Sequence, residues 1–261
     1  MNNIMKKISI FLSSLAIFLG VFYFFWISPK YTTPILMYHS ISYEKGTFFV
    51  TPENLLKQME YIKRNGYEVI TLDELAGSIK DKRRLKRNKV VITLDDGYED
   101  NFIYAYPVFK KFGFPATIFL PTDFMGRKGF LNWDEVRIMS KNRIYFGGHT
   151  KSHFYLGLAQ DTGATREEIA GPKKAIEREI GAPADYFCYP IGGFNEIAKK
   201  LVKEAGYKGA CTTNRGADRF NRDVYELKRV KPTNFDMVKP FSFRLKLSGY
   251  YNLFRSRKDS Y

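Results

Sequence analysis

Val90-Val91-Ile92-Thr93-Leu94-Asp95-Asp96-Gly97 decides the reading of this chain: an unbroken apolar run ends in two adjacent carboxylates and a glycine. A short apolar run closed by a turn signal reads as a buried strand. Further along, Ile144-Tyr145-Phe146 leads into His149-Thr150-Lys151-Ser152-His153. Side chains alternate along a strand, but the turn beyond its end can swing both carboxylates toward one pocket. Two imidazoles and one carboxylate would leave a divalent ion with open positions, as a catalytic site needs, and the second carboxylate free as a base. The pattern points to metal-dependent hydrolysis. Alone, Asp95-Asp96-Gly97 also reads as a turn with a helix N-cap; the histidine pair downstream weighs against that.

Around this run, strand and helix signals alternate. Pro34 to Ile41 reads as a strand carrying Tyr38-His39-Ser40, and Thr51-Pro52-Glu53 opens a helix that Asn65-Gly66 stops. Tyr67 to Ile70 is a short strand, and Thr71-Leu72-Asp73-Glu74 is a capping box. Strand 90–94, helix 99–112, strand 115–120 and a helix from Asn132 follow, with Glu135 in capping-box spacing. Then come strand 144–147, helix 164–180, strand 185–190, helix 195–205, strand 207–213 and a last strand over 224–231. Such alternation implies βα units and a mainly parallel sheet with its site at the strand C-termini, where both chemical motifs fall. No repeat, linker or second domain interrupts the pattern. The aromatic, basic tail after Pro240 is expected to pack on this body or to lie near a membrane.

Ile8 to Ile27 carries no formal charge and follows Lys6-Lys7; about 20 apolar residues span a bilayer as a helix. The run ends in Phe22-Tyr23-Phe24-Phe25-Trp26, too bulky to suit cleavage. Residues 1–30 are therefore expected to be an uncleaved anchor with a cytoplasmic N-terminus, and 31–261 an exported domain; a cleaved signal is the alternative. Formal net charge is +15, concentrated in Lys80–Lys89 and from Arg244 to Lys258. That excess is either a solvated face or an attraction to anionic lipid or acidic wall polymers; nucleic acid is a poor partner for an exported domain. Cys188 and Cys211, the only cysteines, form either a disulfide or two buried thiols.

Thr93–Gly97, His149–His153 and Phe187-Cys188-Tyr189-Pro190-Ile191-Gly192-Gly193 together resemble the first three motifs of the NodB-homology polysaccharide deacetylases, carbohydrate esterase family 4. The resemblance spans nearly everything after residue 30. It implies a distorted (β/α) barrel and removal of acetyl groups from N-acetylated polysaccharide. Tyr38-His39-Ser40-Ile41 further resembles the subgroup acting on poly-β-1,6-N-acetylglucosamine, in which a histidine acid near the N-terminus replaces a late one. Peptidoglycan, chitin-like oligomers or a lipid-linked sugar are alternative substrates, and a silent carbohydrate-binding module is an alternative of another class.

Carried onto this chain, the resemblance and the chemistry assign Asp96, His149 and His153 to the metal and Asp95 to the general base. Zinc suits the ligands, and nickel or cobalt would accept them. His39, the one histidine left, is expected to protonate the leaving amine; the late motif, Leu227-Lys228-Arg229-Val230-Lys231, has none. Cys188 stands where the family often has an arginine beside the catalytic aspartate. Arg229 is expected either to supply that charge or to form a surface salt bridge. Tyr189, Pro190, Ile191 and Gly192 are expected to border the substrate, with the Ile191 amide at the oxyanion; a plain Pro-Gly turn is the alternative. Leu227 is expected on the substrate side as well. Trp133 is expected to wall the acetyl pocket or stack on a sugar unless it packs in the core. Tyr98, Glu99, Asp100 and Asn101 would shape the cleft floor, Asn101 serving chiefly the local turn.

Overall fold

After the N-terminal helix, every expected strand but the last forms, all of them parallel, and they curl into a distorted barrel. The computed structural model describes residues 3–253 and 255, and the chain divides into two compact units, Met1–Thr32 and Thr33–Tyr261. In the first unit, helix α1 (Asn3–Phe22) runs on through a π-helical turn (Tyr23–Ile27) and a 3-10 turn (Ser28–Lys30). Met5–Lys30 is long and apolar enough to cross a membrane, and its most apolar 18 residues have a mean hydropathy of 2.3. Phe18, Phe22 and Trp26 stack in series along this helix, and Lys30 lies over the Trp26 ring.

The second unit alternates β1 (Ile35–Tyr38), α2 (Pro52–Arg64), β2 (Glu68–Ile70), α3 (Leu72–Lys80), β3 (Lys89–Leu94), α4 (Tyr106–Phe112), β4 (Ala116–Leu120) and α5 (Trp133–Ser140). It continues with β5 (Ile144–Gly148), α6 (Gly163–Ile180), β6 (Tyr186–Cys188), α7 (Glu196–Glu204), β7 (Gly209–Cys211), α8 (Phe235–Val238) and α9 (Pro240–Leu247). The strand order is β1-β3-β4-β5-β6-β7, all parallel, with β2 paired to the start of β3. Thr51 and Thr71 accept amides of α2 and α3, and Asn132 and Glu135 complete a reciprocal capping box; the expected Thr71–Glu74 box forms only its Thr71 half, because the Glu74 carboxylate turns to Lys89.

Two elements differ from expectation. Residues 101–105 form a π-helical turn ahead of α4 rather than α-helix. The expected last strand, 224–231, is reduced to isolated bridges, Cys211 with Leu227 and Leu36 with Val230. Those bridges still close the barrel: Thr212 donates to the Leu227 carbonyl, and Val230 exchanges bonds with Ile35 and Met37 across β1. The segment thus fills the gap between β7 and β1.

Strand alternation sorts the core into layers. Leu36, Tyr38, Ile92, Leu94, Ile118 and Phe146 face outward against the helices, in one large buried cluster. The opposite parity, Ile35, Val91, Phe119, Cys188, Cys211 and Leu227, forms an interior cluster with Leu72 and Leu75 of α3. Phe187, Tyr189 and Tyr207 pack with residues of α6 and α7 in a third. The tail packs on the body through Phe243 and Leu247, wholly buried in the first cluster; its residues 254 and 256–261 lie outside the described residues.

Candidate active site

Asp95 continues the parity of Val91 and Thr93, so its carboxylate enters the barrel mouth; its amide still bonds the Tyr38 carbonyl of β1. Asp96 would point away by simple alternation. Its backbone instead takes φ +72°, and Gly97 follows at +63°. A left-handed step of this kind is costly for a residue with a Cβ, and here it turns the second carboxylate back toward the first. Gly97 has its own constraint, because a Cβ there would lie 2.7 Å from Leu120 Cδ2.

Three donors converge on one point. His149 Nε2 lies 3.3 Å and His153 Nε2 3.4 Å from Asp96 Oδ1. Two further left-handed residues build this corner, Thr150 at φ +56° and His153 at +61°. Thr150 is braced by its own hydroxyl, which donates to the His149 carbonyl and accepts from the Phe154 amide. Glu168 of α6 holds the next turn by accepting the amides of Lys151 and Ser152.

His149 Nδ1 is 2.7 Å from the Cys188 carbonyl. A carbonyl can only accept, so Nδ1 carries the hydrogen and the Nε2 of a neutral ring turns its lone pair toward Asp96. Asp96 Oδ1 is buried and has no hydrogen-bond partner among the described residues. A buried carboxylate oxygen beside two imidazole nitrogens calls for positive charge between them, and without an ion His149 supplies it: burial lowers its pKa, but Asp96 and Asp95 more than offset that. Separations of 3.3 and 3.4 Å are also about the edge of a tetrahedron with bonds of about 2.0–2.1 Å. The donor set Asp96, His149 and His153 therefore fits a divalent metal. Asp95, His149 and Cys188 also lie close together, but burial pushes the Cys188 thiol well up and Asp95 is engaged elsewhere, so that set fits less well.

Asp95 is held by Arg229, delivered from the segment that closes the barrel. Nη1 and Nη2 of Arg229 each lie 2.6 Å from a different Asp95 oxygen. The guanidinium is wholly buried, and its other hydrogens go to Thr212 O, Thr93 Oγ1 and Cys188 Sγ. All five donors are used. Burial alone would raise the Asp95 pKa, but the Arg229 charge and hydrogen bonds hold it far below the usual carboxylate range. Burial likewise opposes the Arg229 charge, and Asp95 outweighs it.

His39 enters from the end of β1, its Nε2 3.7 Å from Asp95 Oδ2. Burial lowers its pKa, partly offset by Asp95 and Asp96. Asn101 fixes this corner by donating to both the His39 carbonyl and Asp100, which in turn accepts from Ser40. Asn101, expected among the cleft-floor residues but chiefly in the local turn, is completely buried and ties that turn to the end of β1. Tyr98 sits beside Asp96 and stacks on Phe130; burial, then the Asp96 charge, push its phenol up to about 12.

Other expected substrate residues are distributed differently. The Tyr189 ring is buried, stacked on Phe194, because it shares the outward parity of Phe187. Leu227 is buried in the barrel interior among Cys188 and Cys211, so neither side chain borders the cleft. Trp133, the first residue of α5, packs half-buried against the large core cluster. Pro190 and Gly192 are buried, but Ile191 is exposed with φ +58°. The Ile191 amide has no acceptor among the described residues. Cys188 and Cys211 pair across β6 and β7 and are both free thiols.

A parallel barrel whose strand ends present Asp-Asp-His-His and an Arg-held carboxylate has the parts of a hydrolase site, with a donor set that could hold a metal. Residues 82–210 match the polysaccharide deacetylase family model. The chain is 34% identical, over 76% of its length and 70% of the relative's, to the Bacillus subtilis protein named "Putative polysaccharide deacetylase YxkH". It is 26% identical to the poly-β-1,6-N-acetyl-D-glucosamine N-deacetylase of Staphylococcus aureus, over 75% of this chain and 71% of that one. The Streptococcus pyogenes deacetylase PplD, solved with acetate, superposes with a TM-score of 0.72 at 25% identity, over 77% of this chain and 92% of that one. The chain belongs to the polysaccharide deacetylase family, and is a hydrolase of that class.

Proposed function

We propose that this protein removes acetyl groups from N-acetylglucosamine units of an extracellular polysaccharide, with β-1,6-linked polymer as its substrate, and that residues 1–30 anchor the catalytic domain 31–261 in a membrane. The observation that carries the reading is the Arg229-held Asp95 carboxylate beside the three-donor cluster, with His39 on its other flank. The likeness to the staphylococcal enzyme and the early histidine favour the β-1,6 linkage.

Asp96, His149 and His153 would hold the metal, zinc by donor type. When bound, such an ion supplies Lewis-acid polarisation and lowers the pKa of water toward about 7. Asp95 accepts a proton from the attacking water as its oxygen forms the new C–O bond. A carboxylate held this low by Arg229 keeps that proton only briefly. The nearest base is His39, 3.7 Å away and held neutral by burial, so the proton passes on to it. His39 then protonates the amine as the C–N bond breaks, leaving acetate and a glucosamine unit. The Ile191 amide receives the oxyanion.

Acetate release by the full chain in detergent, with zinc restored, tests this on β-1,6- and β-1,4-linked oligomers. Turnover on β-1,6 oligomers that is lost in Asp95→Asn and His39→Ala supports the reading. Turnover confined to β-1,4 oligomers moves the substrate to wall or chitin-like polymers. No turnover in folded, metal-loaded protein overturns it.

A further inference from the structure

We propose that the barrel rim opposite the candidate active site docks on the phosphate headgroups of an anionic membrane, through a groove of about 520 Å³ lined by Tyr61, Asn65, Tyr67, Arg87, Asn88 and Arg244. The inference rests on the anchor reading above. The lining offers two guanidiniums, two amides and two phenols, and no carboxylate. Arginine forks match phosphate oxygens, and amides and phenols add neutral hydrogen bonds.

The position of the groove follows from the strands. Asn65 caps the C-terminal end of α2, and Tyr67 and Asn88 immediately precede β2 and β3. Asn88 ties the rim together, donating to the Gly66 carbonyl and accepting from the Glu68 amide. Asp95 and Asp96 follow the other end of β3, about 20 Å away at about 3.3 Å per residue. The groove is therefore no extension of the cluster at the barrel mouth.

Its surroundings are cationic. The Lys80–Arg87 segment carries six cations against Asp81, all exposed. Lys63 and Arg64 are exposed beside it at the end of α2. Basic residues in a last helical turn are explained by the helix dipole, which accounts for Lys63, Arg64 and Lys80. It does not account for residues 82–87, which lie beyond α3. The neighbouring carboxylates Glu68 and Glu74 are both taken up by Lys89.

The covalent path supplies the choice of partner. β1 starts at Ile35, and the residues between Lys30 and β1, Tyr31–Pro34, reach at most about 14 Å when extended. On the anchor reading, residues 1–30 keep the domain tethered at a bilayer, so a lipid headgroup is the phosphate at hand. An anionic leaflet attracts a segment as cationic as Lys80–Arg87 within about a Debye length.

The test uses the full chain in nanodiscs of phosphatidylcholine alone or with phosphatidylglycerol, read by amide hydrogen exchange. Protection of residues 63–67 and 80–88 is expected to rise at least several-fold only with phosphatidylglycerol. Arg87→Glu/Arg244→Glu should remove it, with thermal melting and acetate release from soluble oligomers unchanged. Equal protection in both discs, or protection reproduced by inorganic phosphate over phosphatidylcholine, overturns the proposal. Co-elution with discs separates the two readings. A chain eluting free of discs overturns the anchor and the docking with it, whereas one that co-elutes without lipid-dependent protection overturns the docking alone.

Discussion

Replacing Arg229 with methionine should destabilise the domain more than any surface change, with a deficit that depends on pH. The guanidinium is wholly buried, uses all five hydrogens, and faces a carboxylate that is 3% exposed. Removing one member of a buried pair leaves an uncompensated charge and costs about 3–5 kcal/mol. For a domain of this size that lowers Tm by about 6–20 °C. Asp95→Asn in the same background removes the stranded charge, so a double-mutant cycle should return a coupling of about 2–3 kcal/mol. The pH dependence follows from the depressed Asp95 pKa. In the native protein, the stabilisation is fully present above the unfolded value of about 3.9 and is lost as pH falls through the lower folded value. In Arg229→Met the burial effect dominates, the folded pKa rises above 3.9, and stability is lost as pH rises through it. The two stability curves should converge in acid and separate toward neutrality. Urea melts of chelated protein between about pH 4 and 8 measure this without metal linkage. A deficit below about 0.5 kcal/mol, or one independent of pH, would refute the reasoning.

Four further outcomes are expected. Adding zinc to chelated protein at a hundredfold excess over Kd should stabilise it by about 2.7 kcal/mol. Asp96→Asn and His149→Ala should abolish that rise in calorimetry, whereas a rise that survives in both would move the metal elsewhere. His39→Gln should lower kcat by about 10²–10⁴-fold with metal stoichiometry intact. Because burial holds the His39 pKa below its ordinary value, native kcat/KM should not fall between about pH 7 and 8.5; a fall there would mean that His39 must start protonated. Gly192→Ala should cost about 1–3 kcal/mol, since φ is +76° and a Cβ would stand 2.3 Å from Thr213 Oγ1. Gly66→Ala, at φ +70° with nothing within 4 Å, is its control in the same melts.

Much of the fold was legible because capping residues and apolar runs are local signals. Thr51, Thr71 and Asn132 cap the helices they were expected to open. The misreadings come from parity and from contacts distant in sequence. Tyr189 follows Cys188, and Cys188 faces the barrel interior, so alternation alone sends the tyrosine ring outward to Phe187 and Phe194. Leu227 shares the interior parity of Arg229, one layer deeper. The last strand looked regular from composition, yet Asn221 clamps Lys228 through both its amide and its carbonyl, and the ladder survives only as two bridges. The left-handed backbone at Asp96, Thr150 and His153 had no marker, since non-glycine residues were carrying conformations that glycine usually takes.

The relation between Cys188 and Arg229 shows how the site tolerates its departure from the family pattern. An arginine on β6 would reach Asp95 from the strand itself; here a smaller thiol occupies that place. The guanidinium arrives instead from the closing segment, anchored by its Nε to Thr212 O, and its Nη2 lies 3.0 Å from Cys188 Sγ. The thiol therefore does two things: it yields space for the fork and accepts its fifth hydrogen. Its backbone does a third, because the Cys188 carbonyl fixes the His149 ring. One residue thus couples the carboxylate half of the site to the imidazole half. A larger side chain at Cys188 would displace the Arg229 fork directly, even if β6 and its carbonyl stayed in place.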